Sequence, residues 1–305
     1  MALKDIKTKI GATKRMHTVT RAMEAVSAVK MRKTQEQAYA GRPYARAALS
    51  ILTRLTGSRG LSQDPLARVR EVRKTALVLI TSDKGLAGAL NSGVIRAAEE
   101  ALKNRTPGNV SIFAIGRKGE DYFRRRGYRI ELAQENKSDD ISLEVMEDLS
   151  SQLSERFRAE DFDEVIAVYS NFRSTFEQLP TMRRLLPLTI ENVSELVRDI
   201  RPAKGKWSNE PILEAPATYA TDTDPGAKHT VLDVLTPRLV AISLYYMLLE
   251  AKASEHSARM VAMKNASDKS KEVARELTRV YNKVRQAAIT REVSEIVGGR
   301  EALAT

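Results

Sequence analysis

Sixty consecutive residues, Arg238 to Val297, contain neither glycine nor proline. Such a run predicts one long helix, beginning near Val231 and closed by Gly298 and Gly299. At 1.5 Å per residue it would span roughly 90–100 Å. A compact domain built from the rest of the chain is about 40 Å across, so the helix is expected to extend beyond it. Four neighbours within it, Met260, Val261, Ala262 and Met263, are all apolar. At about 100° each they cover most of the helix circumference, whereas a surface helix shows one apolar stripe. Arg259 and Lys264 flank them, and the stretch is too short and too charged to span a bilayer. Something other than lipid must surround it.

The run carries a seam. Val240, Leu244, Met247, Ala251, Ser254, Ala258, Val261 and Asn265 step alternately by four and three. Val273, Leu277, Val280, Val284 and Ala287 do the same, displaced by one, which reads as a coiled-coil stutter. A mate is available at the other end of the chain. Ala12–Ala40 also lacks glycine and proline, and Ile6, Ile10, Val19, Met23, Val26 and Val29 recur near helical spacing among small residues. That helix is expected to start near Ala2. It is expected to bend around Gly41 and Pro43 and to continue to about Gly57. An antiparallel pair of the two terminal helices needs no second chain.

Between them the period changes. "TALVLIT" (75–81), "NVSIFAIG" (109–116), "YRIEL" (128–132) and "DEVIAVYSNF" (163–172) read as strands, with further strands expected in 175–189. Helices are expected at 92–103, 117–126 and 141–160. Strands alternating with helices imply a mostly parallel sheet with helices on its faces. The expected division is 1–57 N-terminal coiled-coil helix, 58–74 linker and 75–200 central α/β domain. Residues 201–230 form a loop-rich foot with the only tryptophan, Trp207, and 231–305 the C-terminal coiled-coil helix.

Composition removes several chemistries. Cysteine is absent, which excludes disulfides, thiolate metal sites and cysteine nucleophiles. The three histidines, His17, His229 and His256, lie far apart and suggest no metal cluster. The N-terminus resembles no secretory signal, and no segment offers about 18 consecutive apolar residues. The net charge of +11 admits an acidic protein, nucleic acid or an anionic membrane as partner.

Two motifs invite stronger readings. "SDKGLAGALN" follows a strand and opens a helix, where phosphate loops occur. Gly85 and Gly88 are too few for the dinucleotide fingerprint, and no Gly-Lys-Ser/Thr follows. A tight turn with a partner contact is the expected role, with a nucleotide-binding α/β enzyme as the alternative. Lys7, Lys9, Lys14, Arg15, Lys30, Arg32 and Lys33 concentrate base on the first helix. They read either as a solvated face or as a surface for an acidic protein. Aromatic residues for base stacking are not interleaved, which disfavours nucleic acid.

Specific stretches then match a known family. "ARMVAMKNASD", "ELTRVYNKVRQAAIT" and "ITREVSEIVGG" closely resemble the C-terminal helix of the gamma subunit of F-type ATP synthase. "RAMEAVSAVKMRKTQ" and "GRPYA" resemble its N-terminal helix, and "TSDKGLAGALN" and "QLPTMRRLLPL" its central domain. The resemblance covers essentially the whole chain in order and is to the bacterial form, without the cysteine-bearing insertion of chloroplast versions. Ile289, Thr290, Glu292, Glu295 and Gly299 match the terminal motif; Arg300 departs from the usual alanine.

The resemblance implies an α/β fold class: a long antiparallel coiled coil plus a central Rossmann-like domain. It implies a non-catalytic rotating shaft without cofactor or metal, carrying torque between ion flow through a membrane ring and ATP synthesis or hydrolysis in a ring of alpha and beta subunits. Further implied partners are the epsilon subunit and the membrane c-ring, with no nucleic acid and no insertion into the bilayer. The implied location is the cytoplasmic face of a bacterial plasma membrane. Candidate contact residues are Met23, Lys30, Arg32, Lys33, Lys84, Trp207, Arg259, Met260, Met263, Ile289, Thr290, Glu292 and Glu295.

Overall fold

The apolar run Thr75–Ile80 forms β1, with all six residues buried. A strand covered on both faces has no polar side to show, which is why its sequence does not alternate. The computed structural model describes residues 3–40, 64–136, 143–189, 192 and 225–303. The expected bend at Gly41–Pro43, the helix to Gly57, the first part of the linker and Trp207 lie outside them.

The elements follow the expected order, with small shifts of boundary: α1 (Leu3–Ala40), β1, α2 (Leu90–Leu102), β2 (Val110–Ile115), α3 (Arg117–Arg125), β3 (Arg129–Gln134), α4 (Leu143–Arg158), β4 (Glu164–Ser174), β5 (Glu177–Leu186) and α5 (Pro225–Leu303). α5 differs most from expectation. It begins at Pro225, where a proline without an N–H is tolerated in the first turn, and passes through Pro237 in its interior. It also runs on through Gly298 and Gly299 to Leu303. Glycine lowers helix propensity by about 1 kcal/mol, which does not by itself end a helix already propagated over many turns.

The chain divides into two compact units, Met1–Ser27 with Met260–Thr305, and Ala28–Arg259. In the second, the sheet order is β3-β2-β1-β4-β5. β1 pairs in parallel with β2 and β4, and β2 with β3. β5 returns antiparallel to β4 as a hairpin. Alternate residues serve the two faces. Leu77, Leu79, Ile112, Ala114, Ile166 and Val168 pack with Val94, Ala98 and Leu102 of α2 and Phe123 of α3. Val78, Ile80, Phe113, Val165, Ala167 and Tyr169 pack with α4 through Met146, Leu149, Leu153 and Phe157. The same cluster takes Leu239, Val240, Leu244, Met247, Leu248 and Ala251 of α5. Gly116, at φ +102°, has no alternative, because a Cβ there would stand 2.0 Å from the Thr81 carbonyl oxygen.

In the first unit, the segments of α1 and α5 pack together along a seam. On α1, Ile6, Ile10, Thr13, His17, Thr20, Glu24 and Ser27 are buried or half-buried and step by four and three. On α5 the matching series is Met263, Ser267, Ser270, Ala274, Leu277, Tyr281, Val284 and Ala288. This corrects the expected seam. Asn265, Val280 and Ala287 are exposed, and one uninterrupted register runs from Met263, with no displacement between 265 and 273. Val19, Val26 and Val29, expected to face the mate, are also exposed. At about 100° per residue they lie roughly 140° from the α1 seam. Ile6, Ile10, Leu277 and Val284 lie in the contact as expected, and between them Thr13, His17, Thr20, Ser27, Ser267, Ser270 and Ala274 fill it, small or polar residues that apolar spacing does not mark.

Candidate functional site

The α5 side of the first unit begins with the four apolar neighbours. Met263 is turned in to the seam, whereas Met260, Val261 and Ala262 are half-buried. The chain's own helices therefore cover this stretch only in part. Farther along, Ile289, Val293, Ile296 and Val297 are exposed, Ile296 at 71%. On α1, Met16, Val19 and Val26 are exposed and Met23 is half-buried. Thr290 is exposed, with its Oγ1 donating to the Gln286 carbonyl (3.0 Å) of its own helix. Glu292 is exposed, and Glu295 accepts from Arg291 Nε at 2.9 Å. Glu292 and Ile289 thus present charge and apolar surface side by side.

His17 ties the two helices. Its Nδ1 lies 3.0 Å from the Ser267 carbonyl oxygen and 2.9 Å from Ser267 Oγ. A serine beside a histidine suggests a nucleophile and its base. Here, however, the carbonyl calls for a proton on Nδ1, so that nitrogen donates and does not act as the base. The pair is a structural tie.

In the second unit, Lys30, Arg32 and Lys33 are exposed on α1. Arg259 donates to Glu255 at 2.6 Å one turn earlier, and both side chains are nearly covered. Lys84 is exposed in the loop between β1 and α2. That loop closes on itself. Ser82 N donates to Asn91 Oδ1 (3.0 Å), Asn91 Nδ2 donates to Ser82 Oγ (2.7 Å), and Ser82 Oγ donates to the Lys84 carbonyl (2.6 Å). Asp83 Oδ1 accepts from the Arg117 amide (3.0 Å) at the start of α3. Ser82 and Asn91 thus spend their polar groups on closing the loop, and Asp83 ties it to the start of the neighbouring helix α3. Leu86, at φ +65° and exposed, is the loop's tip.

A groove of about 560 Å³ lies between α2 and α3, lined among others by Arg96, Lys118, Asp121 and Arg125. Arg126 stacks on Tyr122 at 3.6 Å, and the Tyr122 hydroxyl donates to Glu99 at 2.6 Å. These groups satisfy one another and bring no nucleophile to a base. Burial, reinforced by the charge of Glu250, holds the Tyr169 phenol above its ordinary range. Tyr169 is a neutral core side chain. Among the described residues no cluster of His, Cys, Asp or Glu could hold a metal, and no helix is long and apolar enough to cross a membrane.

Sequence reasoning missed three features: the outward apolar face of α1, the exposed hairpin residues Phe176, Leu179 and Met182, and a buried polar stretch at 252–257 of α5. Only the last had a visible signal, the polar interruption "KASEHS" after an apolar run.

The family described as ATP synthase matches residues 2–303. The chain is 38% identical to the ATP synthase gamma chain of Heliobacterium modesticaldum over 301 residues, covering 99% of each. It is 37% identical to that of Pelotomaculum thermopropionicum over 302 residues, again covering 99% of each. Among solved structures, a chain of the Euglena gracilis mitochondrial ATP synthase (OSCP/F1/c-ring, rotational state 3) superposes with TM-score 0.64 at 20% identity, over 99% of this chain and 94% of that one. A chain of the Tetrahymena thermophila mitochondrial ATP synthase, central stalk and c-ring, gives 0.60 at 22%, over 82% and 99%. An unbroken helix packed against the first, a self-closed loop where a phosphate would bind, and full-length bacterial relatives agree: this chain belongs to the ATP synthase gamma chain family, the non-catalytic central-stalk rotor subunit of F-type ATP synthase.

Proposed function

We propose that the helix pair turns inside a ring of alternating alpha and beta subunits, driven by a membrane c-ring, and imposes its asymmetry on each beta subunit in turn. One observation carries this reading: large apolar side chains on both helices, Val19 and Val26 on one and Ile289, Val293 and Ile296 on the other, are exposed on the chain alone. Ile289, Val293 and Ile296 recur at helical spacing, so they share one face of α5, and exposed apolar residues grouped in this way suit an interaction site. Apolar contact is also non-directional, which suits a surface that must slip past its neighbours.

The charged candidates act differently. Lys30, Arg32, Lys33 and Lys84, all exposed, meet an acidic loop of beta and release it every third of a turn. Exposed ion pairs worth roughly 0–1 kcal/mol each permit that release. Met23, Arg259, Met260, Ile289, Thr290, Glu292 and Glu295 line the shaft's contact with the ring, and Met263 holds the helix pair together beneath it. The foot segment with Trp207 meets the c-ring and epsilon. The chain has no described membrane span and is held peripherally at the cytoplasmic face of a bacterial plasma membrane by these partners.

The test is capture of the tagged chain from detergent-solubilised membranes. Alpha, beta, epsilon and c subunits are expected to copurify with it. Recovery of the chain alone, with the membrane complex retaining a different shaft, would overturn the reading.

A further inference from the structure

The second unit contains a stretch of α5 whose role neither apolar packing nor subunit contact explains. From Leu239 to Ala251 the helix is held by apolar contact with the sheet and α4. Such contact resists separation but has no preferred direction. At Lys252 the character changes. Lys252, Ser254, Glu255, His256 and Ser257 are all buried, in the middle of a helix. Buried polar groups persist only where specific partners hold them. The Lys252 ammonium donates to the Asn136 carbonyl, in the segment after β3. Ser254 Oγ donates to the Ser170 carbonyl of β4 at 3.0 Å. Ser257 Oγ donates to the Thr175 carbonyl in the β4–β5 turn at 2.6 Å and accepts from Gln178 Nε2 of β5 at 3.4 Å.

The directions of these bonds matter more than their number. At about 100° per residue, Ser254 and Ser257 point roughly 60° apart, and Lys252 points away from both by roughly 140–160°. The helix is therefore gripped from two sides by three separate pieces of the α/β domain. Bonds on opposite sides of a cylinder resist rotation about its axis, which a smooth apolar socket does not. Farther back, the Thr236 hydroxyl donates to Asp64 Oδ2 (2.8 Å) and Ser150 Oγ donates to the Pro237 carbonyl (2.6 Å), fixing the helix along its length.

We propose that Lys252, Ser254 and Ser257 form the torsional joint at which rotation of the α/β domain passes into α5. They are positioning residues for rotary coupling, and the proposal rests on the rotor reading above. Beyond the joint, α5 continues without a break to Leu303.

The test uses the whole complex. The chain has no cysteine, so Gly108→Cys, at an exposed turn where a side chain meets open space, gives it a single thiol for a bead, in a complex whose other subunits carry no reactive cysteine. With the catalytic ring immobilised and stalled, the bead's thermal angular fluctuation reports the stiffness of the connection. Lys252→Met with Ser254→Ala and Ser257→Ala removes the joint's donors while keeping most of the volume. The variance is expected to widen about two-fold, and synthesis under a fixed ion gradient to fall further than unloaded hydrolysis. Met247→Ala, in the apolar part of the same helix, lowers the melting temperature but leaves the fluctuation unchanged. If the triple variant does not assemble, Ser257→Ala alone widens the fluctuation in the same direction. Unchanged variance in the assembled variants, or equal widening by Met247→Ala, overturns the proposal. Failure of the unaltered chain to turn within the complex would instead count against the rotor reading.

Discussion

Two stretches of one helix behave in opposite ways. Between Leu239 and Ser257 α5 is buried on almost every side, with only Tyr245 and Glu250 half-buried. Between Met260 and Leu303, among the described side chains, only Met263, Ser267 and Ala274 are buried. Both stretches carry apolar residues around much of their circumference. In the first, the chain's own sheet, α4 and loops provide the cover. In the second, the chain provides one seam and leaves Val280, Ile289, Val293 and Ile296 bare. A helix apolar all round identifies something that surrounds it, but not whether that cover is its own chain or another.

The comparison predicts unequal costs. Leu244→Ala, within the wrapped stretch and fully buried, should destabilise the isolated chain by about 2–5 kcal/mol. Ile296→Ala, in the bare stretch, should stay within about 0.5 kcal/mol. Denaturant unfolding of the two variants checks this, and equal losses would erase the distinction.

A change at the bare unit should instead act on turning. Met23 is half-buried on α1, and Met23→Lys places a flexible cation beside a partner surface proposed to be acidic. Strengthening one angular state by about 1–2 kcal/mol slows escape from it roughly 5–30-fold. Hydrolysis should be largely retained, pumping reduced, and the activation energy of synthesis raised. Vesicles containing the variant complex, assayed against temperature, decide; normal pumping with an unchanged activation energy would place Met23 away from beta.

Within the bare unit, the His17–Ser267 tie is expected to be worth about 0.5–1.5 kcal/mol. His17→Ala should lower the isolated chain's stability by that amount. No change would show that the seam holds through packing alone. The smallest effect is expected from Lys30, Arg32 and Lys33 changed together to Gln. Each exposed pair is worth about 0–1 kcal/mol and is screened by salt. Coupling of hydrolysis to pumping should weaken at low salt while folding is unaffected. Unchanged pumping per ATP would make these residues a solvated face.

Much of the fold was legible because its signals are local. "TALVLI" could be read as a buried strand since both faces of a parallel sheet are covered, and the helices between strands carried their own periodicity. The seams were legible in part: Ile6, Ile10, Leu277 and Val284 lie in the contact as expected, whereas Val19, Val26 and Val280 face outward and Thr20, Ser27, Ser267 and Ala274 take places that apolar spacing does not mark. Of the contact candidates, Met260 and Met263 were visible as an apolar run and Lys30, Arg32 and Lys33 as a basic cluster, and the others came from resemblance, since a bearing has no reactive groups to betray it.

The sequence by itself determined the two long helices, the strand order in the chain and the absence of cysteine chemistry, because backbone propensity, spacing and composition are properties of neighbouring residues. Tertiary structure alone decided which helix face is covered. It seated Lys252, Ser254 and Ser257 against Asn136, Ser170 and Thr175, and it left Val19 and Val26 outward. Those outcomes depend on groups 80 or more residues away in the chain, and burial is a relation between such distant groups that no local pattern encodes.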